Sequence, residues 1–196
     1  MKKIIFAVTL SIFILCSNST AKDNNNNLKK NKEKAIATAM EITSLRSTLA
    51  RESVLNNTKI TGKTFKAVCG KVGKRVKAIS KEEGFKIRHA AIKNRNPANA
   101  ATTGEVNLIQ KISNNKKTQP IEDIVTIEDK RYHRITAPIF VERACLACHG
   151  DKDTRPDFIK KKYPEDKAYG FKEGDLRGII SISFPIALPM EESPNP

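Results

Sequence analysis

The segment Gly178-Ile179-Ile180-Ser181-Ile182-Ser183-Phe184 carries the clearest strand pattern in this chain. Ile180, Ile182 and Phe184 alternate with serines, and successive side chains of a β-strand point to opposite faces of its sheet. The alternation therefore predicts a final strand with one buried face, formed by the apolar residues.

More strands are predicted upstream of this segment. Residues 124–128 and 132–141 flank the tight polar turn Asp129-Lys130, and alternate residues from His133 to Val141 share one face. Residues 85–92 have the composition of a short strand that leads into a turn-rich segment at 94–99. Strands joined by short turns favour an antiparallel meander.

Helices are predicted where apolar residues recur at helical spacing. Residues 28–56 contain neither Pro nor Gly and predict a long N-terminal helix. Residues 103–112 predict a short helix capped near Thr103, with Glu105 in its first turn. Between them lies a helix that Gly84 ends, with one apolar stripe formed by Phe65, Val68, Cys69, Val72, Val76 and Ile79. The stripe places Cys69 on the buried side of this helix. The predicted strands and helices together indicate an α+β fold.

The N-terminus is predicted to be a secretory signal peptide at residues 1–21. Two lysines precede an apolar run at 4–16, which is shorter than the roughly 20 residues of a membrane span. Ser19 and Ala21 place small residues at a cleavage site after Ala21. The alternative is a lipoprotein cut at Cys16, which the bulky residue before Cys16 disfavours.

Cleavage after Ala21 predicts a mature protein that is periplasmic or otherwise exported. It would consist of a polar tether at 22–28, one domain at 29–190 and a flexible tail at 191–196. No later segment is long and apolar enough to span a membrane.

The chain of 196 residues has 36 Lys+Arg against 21 Asp+Glu, a formal net charge of +15. With 39% hydrophobic residues, the bulk of the chain is not expected to be disordered. The basic residues are spread along the chain without interleaved aromatic residues, which argues against nucleic-acid binding. A solvated lysine surface is the simplest interpretation, and a docking patch for an acidic protein or an anionic membrane is the alternative.

Cys145-Leu146-Ala147-Cys148-His149 is a C-x-x-C-H motif, the attachment sequence of c-type haem. Two intervening residues let both sulfurs reach neighbouring vinyl groups of the porphyrin, and the adjacent imidazole ligates the iron. Signal cleavage would leave an odd number of cysteines, so at least one, with Cys69 the candidate, does not form a disulfide. The motif predicts one covalently attached haem c per chain.

The sequence gives less support to two other functions of the cysteines. A thioredoxin-like C-x-x-C is expected within a βαβ unit and often near a Trp, and the chain has no Trp. A zinc site could combine Cys69, Cys145 and Cys148 with a histidine, but the adjacent Cys148 and His149 are poorly placed to chelate one ion.

A six-coordinate haem iron needs a second axial ligand, and the candidates are Cys69, His89, His133, Met40 and Met190. A thiolate from Cys69 would give a low reduction potential, but a free Cys on an apolar stripe is as often a small core residue. His133 is expected to be a hydrogen-bonded core group and His89 to be exposed. The two methionines are expected in the core or the tail.

Several blocks of the chain resemble the PAS-like, single-haem c-type domain family, found alone in bacteria and as the sensor portion of membrane histidine kinases. The resemblance covers residues from about 28 to 186. Its blocks are Ala67-Val68-Cys69, Arg95-Asn96-Pro97-Ala98-Asn99-Ala100, Ala137-Pro138-Ile139-Phe140-Val141 with the C-x-x-C-H motif and Gly150, and residues 162–178. The last two blocks together are highly specific.

The resemblance implies a central antiparallel sheet flanked by helices. It implies haem bound through Cys145 and Cys148 and ligated by His149 and, on the other face, by Cys69. The chain departs from the family pattern at His89, where small or hydroxyl residues are usual, and at residues 101–103, which replace an acidic, Pro-containing continuation.

Arg95 and Arg177 are candidate partners of the haem propionates, because guanidinium groups pair strongly with carboxylates. For each of them, a structural role in holding a turn is the alternative.

The expected function is that of an exported haem protein that acts as a stand-alone redox or diatomic-gas sensor, in which exchange of Cys69 is the switch. The alternative is a low-potential electron carrier that docks an acidic redox partner. No acid/base pair or nucleophile stands out, so an enzyme is not expected.

Overall fold

The computed structural model describes residues 10–55 and 59–186, with side chains described from residue 24 and that of Leu55 left out. Residues 1–9 of the predicted signal peptide lie outside this part, as do Met190 and the tail at 191–196, and for residues 10–21 only the backbone is described. Within the described residues, no helix has the length and apolar character needed to cross a membrane.

Helix α1, Leu10–Ala50, is the long N-terminal helix and passes directly into a π-helical segment, Arg51–Leu55. Residues 22–28, for which a tether was predicted, have helical backbone and continue α1 toward its N-terminus. Ala35, Ala39 and Ile42 are fully buried at helical spacing, which accounts for the packing of α1 on the sheet. Met40 is 65% exposed, so the prediction that it is a core residue is wrong.

The helix predicted around Cys69 is built from three parts. Helix α2, Gly62–Phe65, starts at a capping box in which Thr61 and Thr64 satisfy each other's backbone amides. A π-helical segment, Lys66–Gly70, follows, and helix α3, Lys71–Glu83, ends at Gly84 in the left-handed conformation, with φ 68°.

The remaining helices are short. Helix α4, Thr103–Asn114, begins at a capping box between Thr102 and Glu105, one residue from the predicted cap. Helix α5, Leu146–His149, is a single turn that carries the last four residues of the C-x-x-C-H motif, and helix α6 is Asp157–Lys162. Two 3₁₀ turns, Pro97–Asn99 and Arg143–Cys145, complete the helical elements.

The sheet contains β1 (Lys86–Ala90), β2 (Ile121–Ile127), β3 (Lys130–Phe140) and β4 (Leu176–Pro185) in the order β1-β4-β3-β2. All neighbouring pairs are antiparallel, and a two-residue turn with positive φ at Glu128 and Asp129 joins β2 to β3. The α+β prediction, with a helix-flanked antiparallel sheet and a long N-terminal helix, is confirmed.

Strand β4 is buried on both faces, which corrects the prediction of one buried face. Ile180, Ile182 and Phe184 join α1 and α3 in the main core. On the other face Ile179 packs with Ile109 and Ile112 of α4. The serines are also buried, and the Ser181 hydroxyl lies 3.1 Å from that of Thr136. The serines that alternate with isoleucine in β4 are therefore small polar side chains at buried positions, and their polarity does not indicate exposure to solvent.

Candidate functional site

His149 is held by the carbonyl group of Ala168. Its Nδ1 lies 2.8 Å from the Ala168 oxygen, and because a carbonyl can only accept, Nδ1 carries the proton. Burial lowers the pKa of His149 well below its ordinary value, and the cations Arg177 and Arg95 lower it further. His149 is therefore a neutral imidazole with a free Nε2 lone pair, the form in which histidine ligates a metal.

Backbone hydrogen bonds hold the turn that carries His149. The Gly150 amide donates to the Leu146 carbonyl at 2.8 Å and closes α5. The Gly170 amide then donates to the Gly150 carbonyl at 2.5 Å, and the Phe171 amide to the His149 carbonyl at 3.1 Å. The Phe171 ring stands edge-on to the imidazole, with centroids 6.2 Å apart. Residues 168–171 thus position the motif from outside it.

Arg95 is a structural clamp for the motif. Its Nη2 donates to the Cys148 carbonyl at 2.5 Å and to the Ala168 carbonyl at 3.2 Å, and forms an ion pair with Asp166 at 3.2 Å. These contacts support the structural role that was one of its two predicted roles. Its Nε is buried and has no hydrogen-bond partner among the described residues, so one donor of the guanidinium is left over.

Asp166 is a site residue to which the sequence analysis assigned no role. Its carboxylate accepts from the Ala168 amide at 2.8 Å and from Arg155 at 2.6 Å, in addition to Arg95. Burial opposes ionisation, but the hydrogen bonds from Ala168, Arg95 and Arg155 outweigh it and keep the pKa of Asp166 below its usual value. The only local signal of this role in the sequence was the position of an acidic residue, Asp166, two positions before a turn residue, Ala168.

Cys145 and Cys148 are free thiols, both half-buried. Burial raises the pKa of Cys148 to about 11 and also raises the pKa of Cys145. A thioredoxin-like pair is expected within a βαβ unit, whereas all the described strand pairs are antiparallel. The described fold therefore does not support the thioredoxin alternative.

Cys69 lies in the π-helical segment Lys66–Gly70, where the wider turn takes it off the apolar stripe. Its side chain is exposed, which corrects the prediction that it is buried with Val68 and Val72. Desolvation by surrounding protein nevertheless raises its pKa, against the lowering effect of Arg46, Arg95 and Arg177. The Cys69 thiol is therefore accessible to solvent, although the surrounding protein raises its pKa.

Small apolar residues bring Cys69 to the motif. Val68 packs with Ala50 of α1 and with Ala144, and these three form a buried cluster. Each of Val68 and Ala144 is the immediate neighbour of a cysteine, Cys69 and Cys145 respectively. The cluster therefore joins the π-helical segment, α1 and the start of the motif, and Cys69 lies within electrostatic range of Cys145 and Cys148.

Arg46 and His89 are two further residues of the site. Arg46 Nη2 lies 2.6 Å from His89 Nε2, and since guanidinium can only donate, the imidazole accepts. Burial lowers the pKa of His89 to about 3, with help from the positive charges of Arg46 and Arg177. His89 was predicted to be exposed and is instead half-buried, and nothing in the local sequence pattern singled out Arg46.

Arg177 extends from the start of β4 and donates from Nη1 to the Lys93 carbonyl at 2.9 Å. Its guanidinium carbon lies 5.3 Å from the Phe171 ring centroid. Burial and the like charges of Arg95 and Arg46 lower its pKa to about 10. Three arginines thus converge on the cysteines and His149, with unpaired buried nitrogens on two of them, Arg46 and Arg95.

These residues fit the haem that the motif predicts. They provide two free thiols, a neutral imidazole with a free Nε2, a third accessible thiol and an excess of positive charge for carboxylates. In the described part of the chain, no group of three or more His, Cys, Asp and Glu side chains is arranged to hold a bare metal ion. The zinc alternative is therefore unsupported.

His133 does not belong to this site. Its Nε2 lies 3.0 Å from a carboxylate oxygen of Glu122, and its ring stacks on Phe184 with centroids 5.4 Å apart. It is a hydrogen-bonded group against the core, as predicted.

Comparisons with known proteins agree with this architecture. A family model described as Tll0287-like matches residues 22–185. The crystal structure of the cyanobacterial haem protein Tll0287 is similar to this chain, with a TM-score of 0.66 and 38% sequence identity. The similarity covers 79% of this chain and 95% of that chain. No curated protein matches. The matched residues include strands β1 to β4 and the site residues from Arg46 to Arg177. The chain therefore belongs to the Tll0287-like family.

Proposed function

We propose that this chain is an exported c-type haem-binding protein that carries one haem, bound covalently through Cys145 and Cys148, with His149 and Cys69 as axial ligands. Its role is that of a redox or diatomic-gas sensor module. The observation that carries the proposal is the hydrogen bond from His149 Nδ1 to the Ala168 carbonyl, because it leaves Nε2 deprotonated for iron.

The haem part of the proposal has two independent supports. The C-x-x-C-H motif spans the end of the 3₁₀ turn at Cys145 and helix α5, and both of its thiols are free, as covalent attachment requires. The similar protein Tll0287, 38% identical, is a haem protein. Haem supplies a one-electron redox centre whose axial ligands set its reduction potential.

Cys69 is the second axial ligand in this proposal because the structure brings its accessible thiol close to the motif. Met40 is exposed on α1, and His133 is engaged by Glu122. The nearest imidazole, His89, already accepts a hydrogen bond from Arg46 through Nε2. With His149 and Cys69 in the axial positions, no coordination site is free for substrate, so the proposed role is non-catalytic.

A sensor role is supported by the position of Cys69 in a π-helical segment. Such segments interrupt regular helices and are frequent at functional sites. Because Val68, the neighbour of Cys69, packs on Ala50, a movement of Cys69 would change the packing of the long helix α1. The second candidate is a low-potential electron carrier, which the net charge of +15 favours as a surface for an acidic redox partner.

The test is to express the chain with haem-maturation machinery and to record visible spectra in both oxidation states. Haem that stays with the denatured protein is the expected result, and its absence would overturn the proposal.

The Cys69→Ala variant is expected to lose the thiolate-ligated spectrum, whereas Met40→Leu, at an exposed residue of α1, keeps it. An unchanged Cys69→Ala spectrum would exclude Cys69 as the ligand. Rapid binding of CO or NO to the reduced protein favours the sensor role. A reduced protein that binds neither gas favours the electron-carrier role.

A further inference from the structure

Arg46 is half-buried and has no carboxylate partner among the described side chains. Its Nη2 donates to His89 Nε2 at 2.6 Å, and its Nη1 is buried with no hydrogen-bond partner. Among the side chains that the structure describes, no carboxylate forms an ion pair with Arg46. A buried charge is costly unless it is paired, so the position of Arg46 requires an explanation.

His89 orients Arg46 but does not neutralise it. The imidazole accepts the hydrogen bond, so its Nε2 carries no proton, and a pKa of about 3 keeps it neutral. The hydrogen bond joins α1 to β1 and fixes where the guanidinium points. The missing negative charge must come from another group.

Two cysteine sulfurs near Arg46 can carry negative charge. Arg46 and Ala50 lie one helical turn apart on the same face of α1, and Ala50 packs against Val68 and Ala144, the neighbours of Cys69 and Cys145. In agreement with this placement, Arg46 interacts electrostatically with both cysteines. Since Cys145 would be consumed in a neutral thioether, the sulfur left to carry negative charge is that of Cys69.

The other two arginines near Cys69 have contacts that Arg46 lacks. Arg95 has the Cys148 and Ala168 carbonyls and the Asp166 carboxylate. Arg177 has the Lys93 carbonyl and the Phe171 ring. Among these three arginines and within the described side chains, Arg46 alone combines the lack of a carboxylate partner with a buried nitrogen that has no hydrogen-bond partner.

We propose that Arg46 is the counter-charge of the Cys69 sulfur, that His89 holds it in place, and that this pair sets the reduction potential of the bound haem. The statement about the potential rests on the proposed function. A cation beside the sulfur withdraws electron density from the iron and disfavours the ferric charge, so both effects raise the potential. Arg46 is a positioning residue that acts through Cys69.

The first test compares reduction potentials of the haem-loaded protein. Arg46→Gln removes the charge and is expected to shift the ferric–ferrous equilibrium about tenfold toward ferric, which is about 59 mV for one electron. Arg46→Lys keeps the charge and is expected to retain most of the wild-type potential. Arg51→Gln, an exposed residue just beyond α1, is the matched control and should leave the potential unchanged. Equal potentials in Arg46→Gln and wild type would overturn the inference.

His89 provides a second pair of variants. His89→Gln keeps a hydrogen-bond acceptor for Arg46, whereas His89→Ala removes it. We expect His89→Ala to lower the potential in the same direction as Arg46→Gln, and His89→Gln to restore it. Equal potentials for the two His89 variants would contradict the holding role, and this pair also decides the matter if Arg46→Gln does not fold.

The second test needs no haem and therefore separates this inference from the proposed function. In a full chain with Ser at positions 16, 145 and 148, Cys69 is the remaining thiol, and its alkylation by iodoacetamide is followed at pH 7. Loss of the nearby cation in Arg46→Gln is expected to slow alkylation about tenfold, and Arg51→Gln is not. An unchanged rate overturns the inference even if haem binds as proposed. A slowed rate supports it even if no haem is attached.

Discussion

Arg95 and Asp166 form a buried ion pair, with 3.2 Å between Nη2 and the carboxylate and side-chain exposures of 7% and 0%. Asp166 also accepts from Arg155 and from the Ala168 amide, whereas Arg95 reaches the Cys148 carbonyl. The pair thus connects the segment after β1 to the C-x-x-C-H turn and to the carbonyl group that holds His149. Its removal should affect stability and the site together.

Replacing Arg95 by Met is expected to lower the free energy of unfolding by about 3 kcal/mol, because Asp166 loses one of two cations while it stays buried. Urea denaturation measures the change. Arg143→Met is the matched control: Arg143 is 83% exposed and lies 3.9 Å from Glu173, so its loss should change stability by about 0.5 kcal/mol or less. Equal effects of the two substitutions would show that the ion pair of Arg95 is not structural.

Gly150→Ala is expected to disturb the turn that carries His149. A Cβ at this position would lie 2.7 Å from the Leu146 carbonyl oxygen, which is backbone and cannot move aside. We expect a loss of about 2 kcal/mol in the free energy of unfolding and a lower yield of covalent haem.

The control for Gly150 is Gly104→Ala in the first turn of α4, where an added Cβ meets nothing within 4 Å. Ala is the better helix former, so stability should stay within about 1 kcal/mol of wild type or rise. A Gly150→Ala protein as stable as Gly104→Ala would contradict the close contact with Leu146.

Glu105 should make stability depend on acidic pH. Burial opposes its ionisation, but hydrogen bonds from Arg88, at 2.7 and 3.2 Å, and from Thr102 lower its pKa below the ordinary value of 4.5. Because the pKa is lower in the folded than in the unfolded state, the stabilisation is fully present above about pH 4.5. It is lost as the pH falls through the folded value.

The measurement is the difference in unfolding free energy between wild type and Glu105→Gln from pH 7 to pH 3. Gln preserves the capping box, so the difference reports the charge. We expect about 1 kcal/mol at pH 7, since water screens the half-exposed Arg88, and a value near zero once Glu105 is protonated. A difference that is constant with pH would show that the charge of Glu105 contributes nothing.

Ser181→Asp tests whether the second face of β4 is buried. Ser181 is 4% exposed and hydrogen-bonds to Thr136, and its cross-strand neighbour Arg88 is already paired with Glu105. A carboxylate at this position would be desolvated and would compete with Glu105 for Arg88, at a cost of about 3 kcal/mol. Thermal or urea unfolding measures the loss. Thr126→Asp on the exposed edge strand β2 is the control and should cost about 1 kcal/mol or less. Similar losses at the two positions would mean that the serine face is open to solvent.

The sequence by itself determined the features that depend on neighbouring residues. The alternation in β4, the apolar spacing of α1 and α3 and the stop at Gly84 predicted these elements, because backbone periodicity acts over a few residues. The C-x-x-C-H motif likewise defined the haem hypothesis from five consecutive positions.

Only the tertiary structure decided which surfaces and charges meet. Packing of α4 buries the second face of β4, and the π-helical turn leaves Cys69 accessible, where the apolar stripe predicted burial. Arg46, His89 and Asp166 entered the site through contacts between residues far apart in the chain. A short sequence pattern contains no information about residues that are distant in the chain. The motif therefore predicted candidate haem-binding residues, and only the fold showed which charged and polar groups surround them.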